Sequence, residues 1–232
     1  MLDFAGLRRS YRNWRRKRQR VLPADVLPPF FHAKDINAVH EYFSATTEME
    51  GLADSPSALN GNCFICNEAV NFKVESAKDG GPVNWRETLR CPQCGLIGRW
   101  RSCLHLFEAL CEPTVDDRIY LTETLSPVYQ NLASRFPLLC GSEFLPEFEN
   151  GEWVQTHTME VRNEDVTRLS FTDSSFEIVL CFDVLEHVPE YRSALREFYR
   201  VLSSGGQLLL SVPFSFKRKT RVRALLDDAG KV

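Results

Sequence analysis

Apolar and polar positions along this 232-residue chain fall into two regimes. In the C-terminal half, short unbroken apolar runs recur within Arg118–Glu123, Leu138–Glu143, Phe176–Asp183 and Gln207–Phe214. Runs of this length predict strands, and their continuity predicts burial on both faces of a parallel sheet. Helical signals lie between them: Pro127 suits the first turn of a helix reaching Phe136, and a charged helix follows Val188. Strands alternating with helices make this half α/β. Upstream, Val70, Phe72 and Val74 alternate with polar residues, the period of a half-buried strand. Ile36, Val39, Tyr42 and Phe43 fall at helical spacing after Asp35, a predicted N-cap. Leu22-Pro23 and Leu27-Pro28-Pro29 predict a linker, and Gly51–Gly61 a loop.

Ligands of open parallel sheets bind beyond the carboxyl ends of the strands. Asp165 and Asp183 stand at such ends, which points to a nucleotide-like ligand.

Composition narrows the class. Hydrophobic and charged fractions of 44% and 25% are those of a soluble globular protein. No apolar run approaches the roughly 20 residues of a membrane span. The charges of the N-terminus continue through Arg20, so no secretory signal is predicted and the expected compartment is cytoplasmic. The net charge of -3 hides an asymmetry. Residues 1–20 hold eight of the 28 basic residues and one of the 31 acidic ones, Asp3, leaving 20 basic against 30 acidic in the rest. The arm of residues 8–20, with Tyr11 and Trp14 as apolar anchors, could touch nucleic acid or an anionic membrane. Charge blocks of this kind are more often solvated extensions, and that is the favoured expectation here.

Two CxxC pairs, Cys63/Cys66 and Cys91/Cys94, are separated by 24 residues. Each short pair lets two thiolates reach one tetrahedral ion, and the strand at Val70–Val74, a turn at Gly80-Gly81 and a return through Thr88-Leu89-Arg90 bring the pairs together. Gly95 suits the tight knuckle after Cys94. A reducing compartment disfavours disulfides, so the expectation is a zinc ribbon holding a structural ion, since four Cys ligands leave no open position. Cys103, Cys111, Cys140 and Cys181 fit no ligand spacing and read as core thiols; His105 reads as a helix-surface residue.

Three motifs together carry a family resemblance: "D-x-x-x-L-x-F" at Asp165–Phe171, "D-V-L-E-H-V" at Asp183–Val188, and "V-L-x-x-G-G" at Val201–Gly206. In that combination the chain resembles a class I S-adenosylmethionine-dependent methyltransferase of the type 11 kind. The resemblance implies a Rossmann-like parallel sheet in the order 3-2-1-4-5, with S-adenosylmethionine as cofactor. It implies that Glu143 takes the ribose hydroxyls, Asp165 the adenine amino group with Val166 packed on the ring, and Glu123 the methionine ammonium, with Asp183 beside the reacting end. His187 is a weak candidate base; its place in the "L-E-H-V" segment also suits packing against the next helix. The family's Gly-rich first loop is absent, with no glycine between Gly98 and Gly141. Thr122-Glu123-Thr124-Leu125-Ser126-Pro127 stands there instead and resembles the "T-E-x-x-x-P" turn of a zinc-ribbon subgroup.

The expected organisation is therefore a basic arm and helical extension over residues 1–60, a zinc ribbon over 61–98, and a Rossmann-like domain over 99–232. Only 18 residues follow Phe214, so the family's C-terminal strands are expected to be missing. That leaves Leu208, Leu210 and Val212 as an apolar edge for a protein partner to cover. The leading expectation is a methyltransferase acting on an unidentified methyl acceptor. A non-catalytic scaffold that keeps the fold, and a zinc-ribbon nucleic-acid binder, are the alternatives.

Overall fold

A computed structural model of the chain describes residues 58–75, 84–213 and 224–225. The arm of residues 8–20, the helix expected after Asp35, the Gly80-Gly81 turn and nearly all of the segment after Pro213 lie outside the described residues. The described residues divide into two compact units between His105 and Leu106.

In the first unit, the alternation seen in the sequence becomes β2 (Glu68–Val74), the middle strand of an antiparallel sheet. It pairs with β1 (Ala58–Cys63) along its length and with β3 (Leu89–Arg90) at its end. Val70, Phe72 and Val74 are all buried, as a half-buried strand requires. A single helical turn, α1 (Trp85–Thr88), precedes β3. Helix α2 (Gly98–Leu106) follows and buries Cys103 and Leu104. Gly98 is required at its start, because a Cβ there would come within 2.8 Å of the Trp85 carbonyl oxygen.

The second unit begins with a wide π turn, Phe107–Cys111, closed by Glu112 in left-handed conformation. Its sheet contains β4 (Ile119–Leu121), β5 (Leu139–Gly141), β8 (Phe176–Phe182) and β9 (Leu202–Ser211). All pairs are parallel and the order is β5-β4-β8-β9. These are the predicted strands two, one, four and five in the predicted order. Helix α3 (Pro127–Ala133) follows β4, capped by the Ser126 hydroxyl accepting from the Tyr129 N–H, with proline in its first turn. Helix α4 (Tyr191–Val201) connects β8 to β9 and buries Ala194, Phe198 and Val201 against Tyr120, Val179 and Cys181.

The third strand departs from expectation. The residues before Asp165 form an antiparallel hairpin, β6 (Trp153–Gln155) with β7 (Glu160–Arg162), and touch the sheet by one parallel bridge, Glu143 to Asn163. Asn163 explains why. Its side chain accepts from the Leu145 N–H and donates to the Phe148 and Glu149 carbonyls, while its backbone bonds Gly151 and Glu152. A residue so occupied by the 145–152 loop ends the ladder after one rung.

Strand five also differs. It starts at Leu202 rather than Gln207, with a register shift: a step of two positions from Phe176 to Ile178 is matched by a step of five from Leu202 to Gln207. Gly205, at φ 78°, permits the bulge. Of the predicted apolar edge, Leu208 packs against the core, whereas Leu210 and Val212 are 37% and 47% exposed. Arg200 at the end of α4 staples the motif segment to the helix, donating to the Leu169 and Phe171 carbonyls and to Asp173 and Glu197.

Gly141 sits where β5 meets the first loop: a Cβ there would lie 2.5 Å from Tyr129 Cε2 and 2.7 Å from Thr124 Oγ1. Gly141→Ala should therefore lower the denaturant midpoint by an amount equivalent to about 1–3 kcal/mol, the usual cost of overpacking. An unchanged midpoint in urea melts would show that the loop gives way freely.

Candidate functional site

Two places in the chain concentrate chemistry, one in each unit. In the first, two tight turns each present a Cys pair. Asn67 donates its N–H to the Cys63 carbonyl at 2.8 Å and Gly95 donates to Cys91 at 3.0 Å. Both adopt left-handed backbone, φ 56° and 71°. Gly95 was expected; Asn67 occupies the matching position in the first turn, and asparagine is the non-glycine residue best suited to it. The four sulfurs lie within 4.8 Å of one another, with Cys63–Cys94 at 3.9 Å and Cys66–Cys91 at 3.7 Å. Tetrahedral zinc–thiolate bonds of about 2.3 Å imply sulfur–sulfur edges of about 3.8 Å. A disulfide requires about 2.05 Å, so the spacing is that of an ion's ligands.

Electrostatics agree. The Cys63 thiol is held down to about 5, chiefly by its hydrogen bond with Cys94, against the effect of burial. Cys94 is pushed up, first by that same bond and then by burial, and Cys66 rises to about 12 through burial and the Cys63 charge. One thiolate thus suppresses its neighbours, and four become ionised together only around a cation. The donor set fits zinc. His105, expected at the helix surface, instead stacks on Phe64 inside the first Cys turn, ring centroids 4.2 Å apart.

The second place is the carboxyl edge of the parallel sheet. Strand register assembles it: Leu121 lies opposite both Gly141 and Leu180. Two residues beyond each stand Glu123, Glu143 and Phe182, and Asp183 follows Phe182. Three of the expected carboxylates therefore come together at the ends of three adjacent strands. Two of them reach the Cys181 thiol, which is pushed up to about 12 by burial first, with the charges of Glu186, Glu123 and Asp183 adding to it.

Each carboxylate has a distinct local role. Glu143 Oε1 accepts from the backbone N–H groups of Thr124 and Leu125, at 2.7 and 2.6 Å. That bond organises the glycine-free loop. No residue from Thr122 to Ser126 adopts positive φ, and the Thr122 and Thr124 side chains turn inward and are buried. Glycine is thus not needed for the loop's own geometry; the close approach is accommodated on β5, at Gly141. Asp183 takes left-handed φ, 53°, and accepts from the Ser211 hydroxyl at 2.9 Å. A non-glycine residue so placed at a strand end is strained in the way functional sites often are. Asp165 accepts from the Thr167 N–H and hydroxyl at 2.9 and 2.7 Å and pairs with Arg168 at 3.3 Å. Val166 belongs to the core cluster. His187 does not pack against the next helix: its side chain is 74% exposed, 3.9 Å from Glu186.

Sequence reasoning missed the supports. Glu164, fully buried, accepts from Arg162, from the Ser170 N–H and from the Ser170 hydroxyl, and Asn150 bridges to the Asp165 N–H. The Arg162-x-Glu164 spacing and Ser170 were the only hint, and polar pairs of that kind are common on surfaces. Glu186, within the "L-E-H-V" segment, was passed over beside His187.

Residues 140–210 match the family model described as a methyltransferase domain. The demethylmenaquinone methyltransferase of Listeria welshimeri is 30% identical over 146 residues, 61% of this chain and 53% of that protein. An uncharacterized protein of Methanocaldococcus jannaschii is 44% identical over 48 residues, 21% of each chain. Among solved structures, the YcgJ protein of Bacillus subtilis aligns at 23% identity and TM-score 0.36, covering 47% of this chain and 49% of that one. The chain spans about half the length of the curated relatives it matches. The family matched over residues 140–210 is the one the motifs resemble. Among the described residues, no helix is long and apolar enough to cross a membrane.

The Glu143 bond generates a direct test. Glu143→Ala should speed hydrogen exchange at the Thr124 and Leu125 amides on the order of tenfold, the size of one lost charge-assisted bond. Glu143→Gln, which keeps a carbonyl acceptor, should leave exchange close to wild type. Equal acceleration in both variants would contradict the assignment.

Proposed function

We propose that the chain is an S-adenosylmethionine-dependent methyltransferase whose ribbon unit holds a structural zinc ion. The observation that carries this reading is the register that sets Glu143, Glu123 and Asp183 side by side at the carboxyl edge, within and beside the matched segment. When bound, the cofactor supplies an electrophilic methyl group on a sulfonium whose departure needs no protonation. The protein's work is then alignment and desolvation.

In this reading Glu143 divides its carboxylate. Oε1 holds the first loop, and the second oxygen is the acceptor for the ribose hydroxyls. Glu123 faces the ammonium group, and the acidic edge as a whole favours a cationic ligand. Asp165 and Val166 serve the adenine. His187, exposed beside Glu186, is the candidate to accept a proton from the acceptor. The acceptor itself is unassigned; the one that names the relatives is not carried over from an alignment covering 53% of their length.

A scaffold reading is favoured by a separate observation. Oδ1 of Asp165 is already engaged by Thr167, and Oε1 of Glu143 by the loop, so the chain satisfies part of its own site. Calorimetric titration of the zinc-loaded protein with S-adenosylmethionine separates the two. The methyltransferase reading expects saturable binding, weakened on the order of a hundredfold in the Asp165→Ala, Asp183→Ala double variant, since each lost charge-assisted bond costs roughly 1.5–3 kcal/mol. No binding by folded, zinc-loaded protein would favour the scaffold.

For the metal, the expected result is one zinc per chain by elemental analysis, lost in Cys63→Ser, Cys91→Ser protein. Full-chain protein that retains no zinc after purification in zinc-containing buffer would contradict the structural-ion reading.

A further inference from the structure

Glu164 is the most deeply buried carboxylate among the described residues, 1% exposed. Both of its oxygens are engaged. Oε1 accepts from the Arg162 Nε–H at 2.7 Å and from the Ser170 hydroxyl at 2.5 Å, and Oε2 accepts from the Ser170 N–H at 2.8 Å. Arg162 also donates to the Ser170 hydroxyl at 2.7 Å, and its guanidinium lies 4.7 Å from the centre of the Phe171 ring.

These bonds close a loop. The chain leaves the sheet at Glu164 and returns to the same side chain at Ser170, six positions later. Asp165 is the first residue of that loop; its N–H donates to the Asn150 side chain at 2.6 Å and its Oδ1 accepts from Thr167. On the other side, the Glu164 N–H donates to the Glu143 carbonyl and the Glu143 N–H to the Arg162 carbonyl, each at 2.9 Å. Glu164 therefore joins the strand end that carries Glu143 to the loop that carries Asp165. Stability alone does not account for a carboxylate here. A buried ion pair adds little net stability, and an apolar side chain of similar volume often does as well. Val166 and Leu169 already anchor the loop in the core. What a multiply bonded carboxylate adds is direction, because a fully satisfied polar network specifies a single geometry.

We infer that Glu164 is a positioning residue for the adenine end of the proposed cofactor site, clamping Ser170 so that Asp165 meets the adenine amino group in one orientation. The inference rests on the cofactor reading and adds to it a residue whose own oxygens are already taken.

The test uses the full, zinc-loaded chain as wild type, Glu164→Ala, Ser170→Ala and Ile119→Val. The ligands are S-adenosylhomocysteine and its inosine counterpart, which carries an oxo group where adenine carries the amino group. Calorimetry gives the ratio of their affinities. Wild type should prefer the adenine ligand on the order of tenfold, the size of one charge-assisted hydrogen bond. In Glu164→Ala that ratio should fall close to one, with affinity for the inosine ligand retained. Ser170→Ala keeps the N–H and removes only the hydroxyl of an exposed residue, so it should fold and narrow the ratio in the same sense. Ile119→Val loosens the buried start of β4 and should lower the melting temperature with the ratio unchanged. Full discrimination in folded Glu164→Ala overturns the inference; should that variant not fold, full discrimination in Ser170→Ala does so. An equal loss of discrimination in Ile119→Val also overturns it, since the effect would then be general loosening. Equal binding of both ligands by wild type removes the adenine role of Asp165, and the inference with it. Wild-type protein that binds neither ligand would sink the cofactor reading itself, and this inference with it.

Discussion

Like charges at the ends of neighbouring strands repel, and the second unit is arranged around that constraint. Parallel register sets Glu123, Glu143 and Asp183 along one edge, and the sheet holds them there by giving two of them neutral donors. Glu143 takes two backbone N–H groups and Asp183 takes the Ser211 hydroxyl. Neutral donors hold a carboxylate in place without adding a positive charge that would cancel its field. The edge therefore stays acidic and suited to a cationic ligand. Gly141 makes this geometry reachable, because only a residue without Cβ lets Tyr129 and Thr124 come so near β5.

The ribbon unit faces the same physical difficulty with the opposite expected remedy. Its four thiols sit closer together than free thiolates tolerate, and the spacing is that of ligands around one ion. Left-handed Asn67 and Gly95 give the two turns matching shapes, which is how two sequence-distant pairs converge on one centre.

Much of this was legible in the sequence because it depends on periodicity and spacing. The alternation at Val70, Phe72 and Val74, the unbroken run at Phe176–Phe182, and the CxxC pairs are short-range signals: the first two formed the strands they predicted, and the cysteine pairs converged into one four-sulfur cluster. The strand order followed from the family motifs. What was not legible depends on which polar side chain finds which partner. Asn163 reduces the third strand to one bridge through bonds to a loop 11 to 18 residues earlier, and nothing local marks it. Glu164 is an ordinary glutamate in sequence and a buried one in the fold because Ser170 and Arg162 reach it. The glycine-free first loop is a case of the same kind: the bond that organises it comes from Glu143, on another strand. His187 and His105 show the limit from the other side, since a motif position fixed neither the exposure of one nor the stacking of the other.

We propose that the carboxyl edge of this sheet is a cofactor site organised by Glu143. Hydrogen exchange of the zinc-loaded protein, with and without saturating S-adenosylmethionine, tests it most directly. Added protection is expected, concentrated in residues 121–126 and 182–187, with the ribbon unit unchanged. Identical exchange in those two segments at saturating cofactor, or protection confined to other regions, would contradict it.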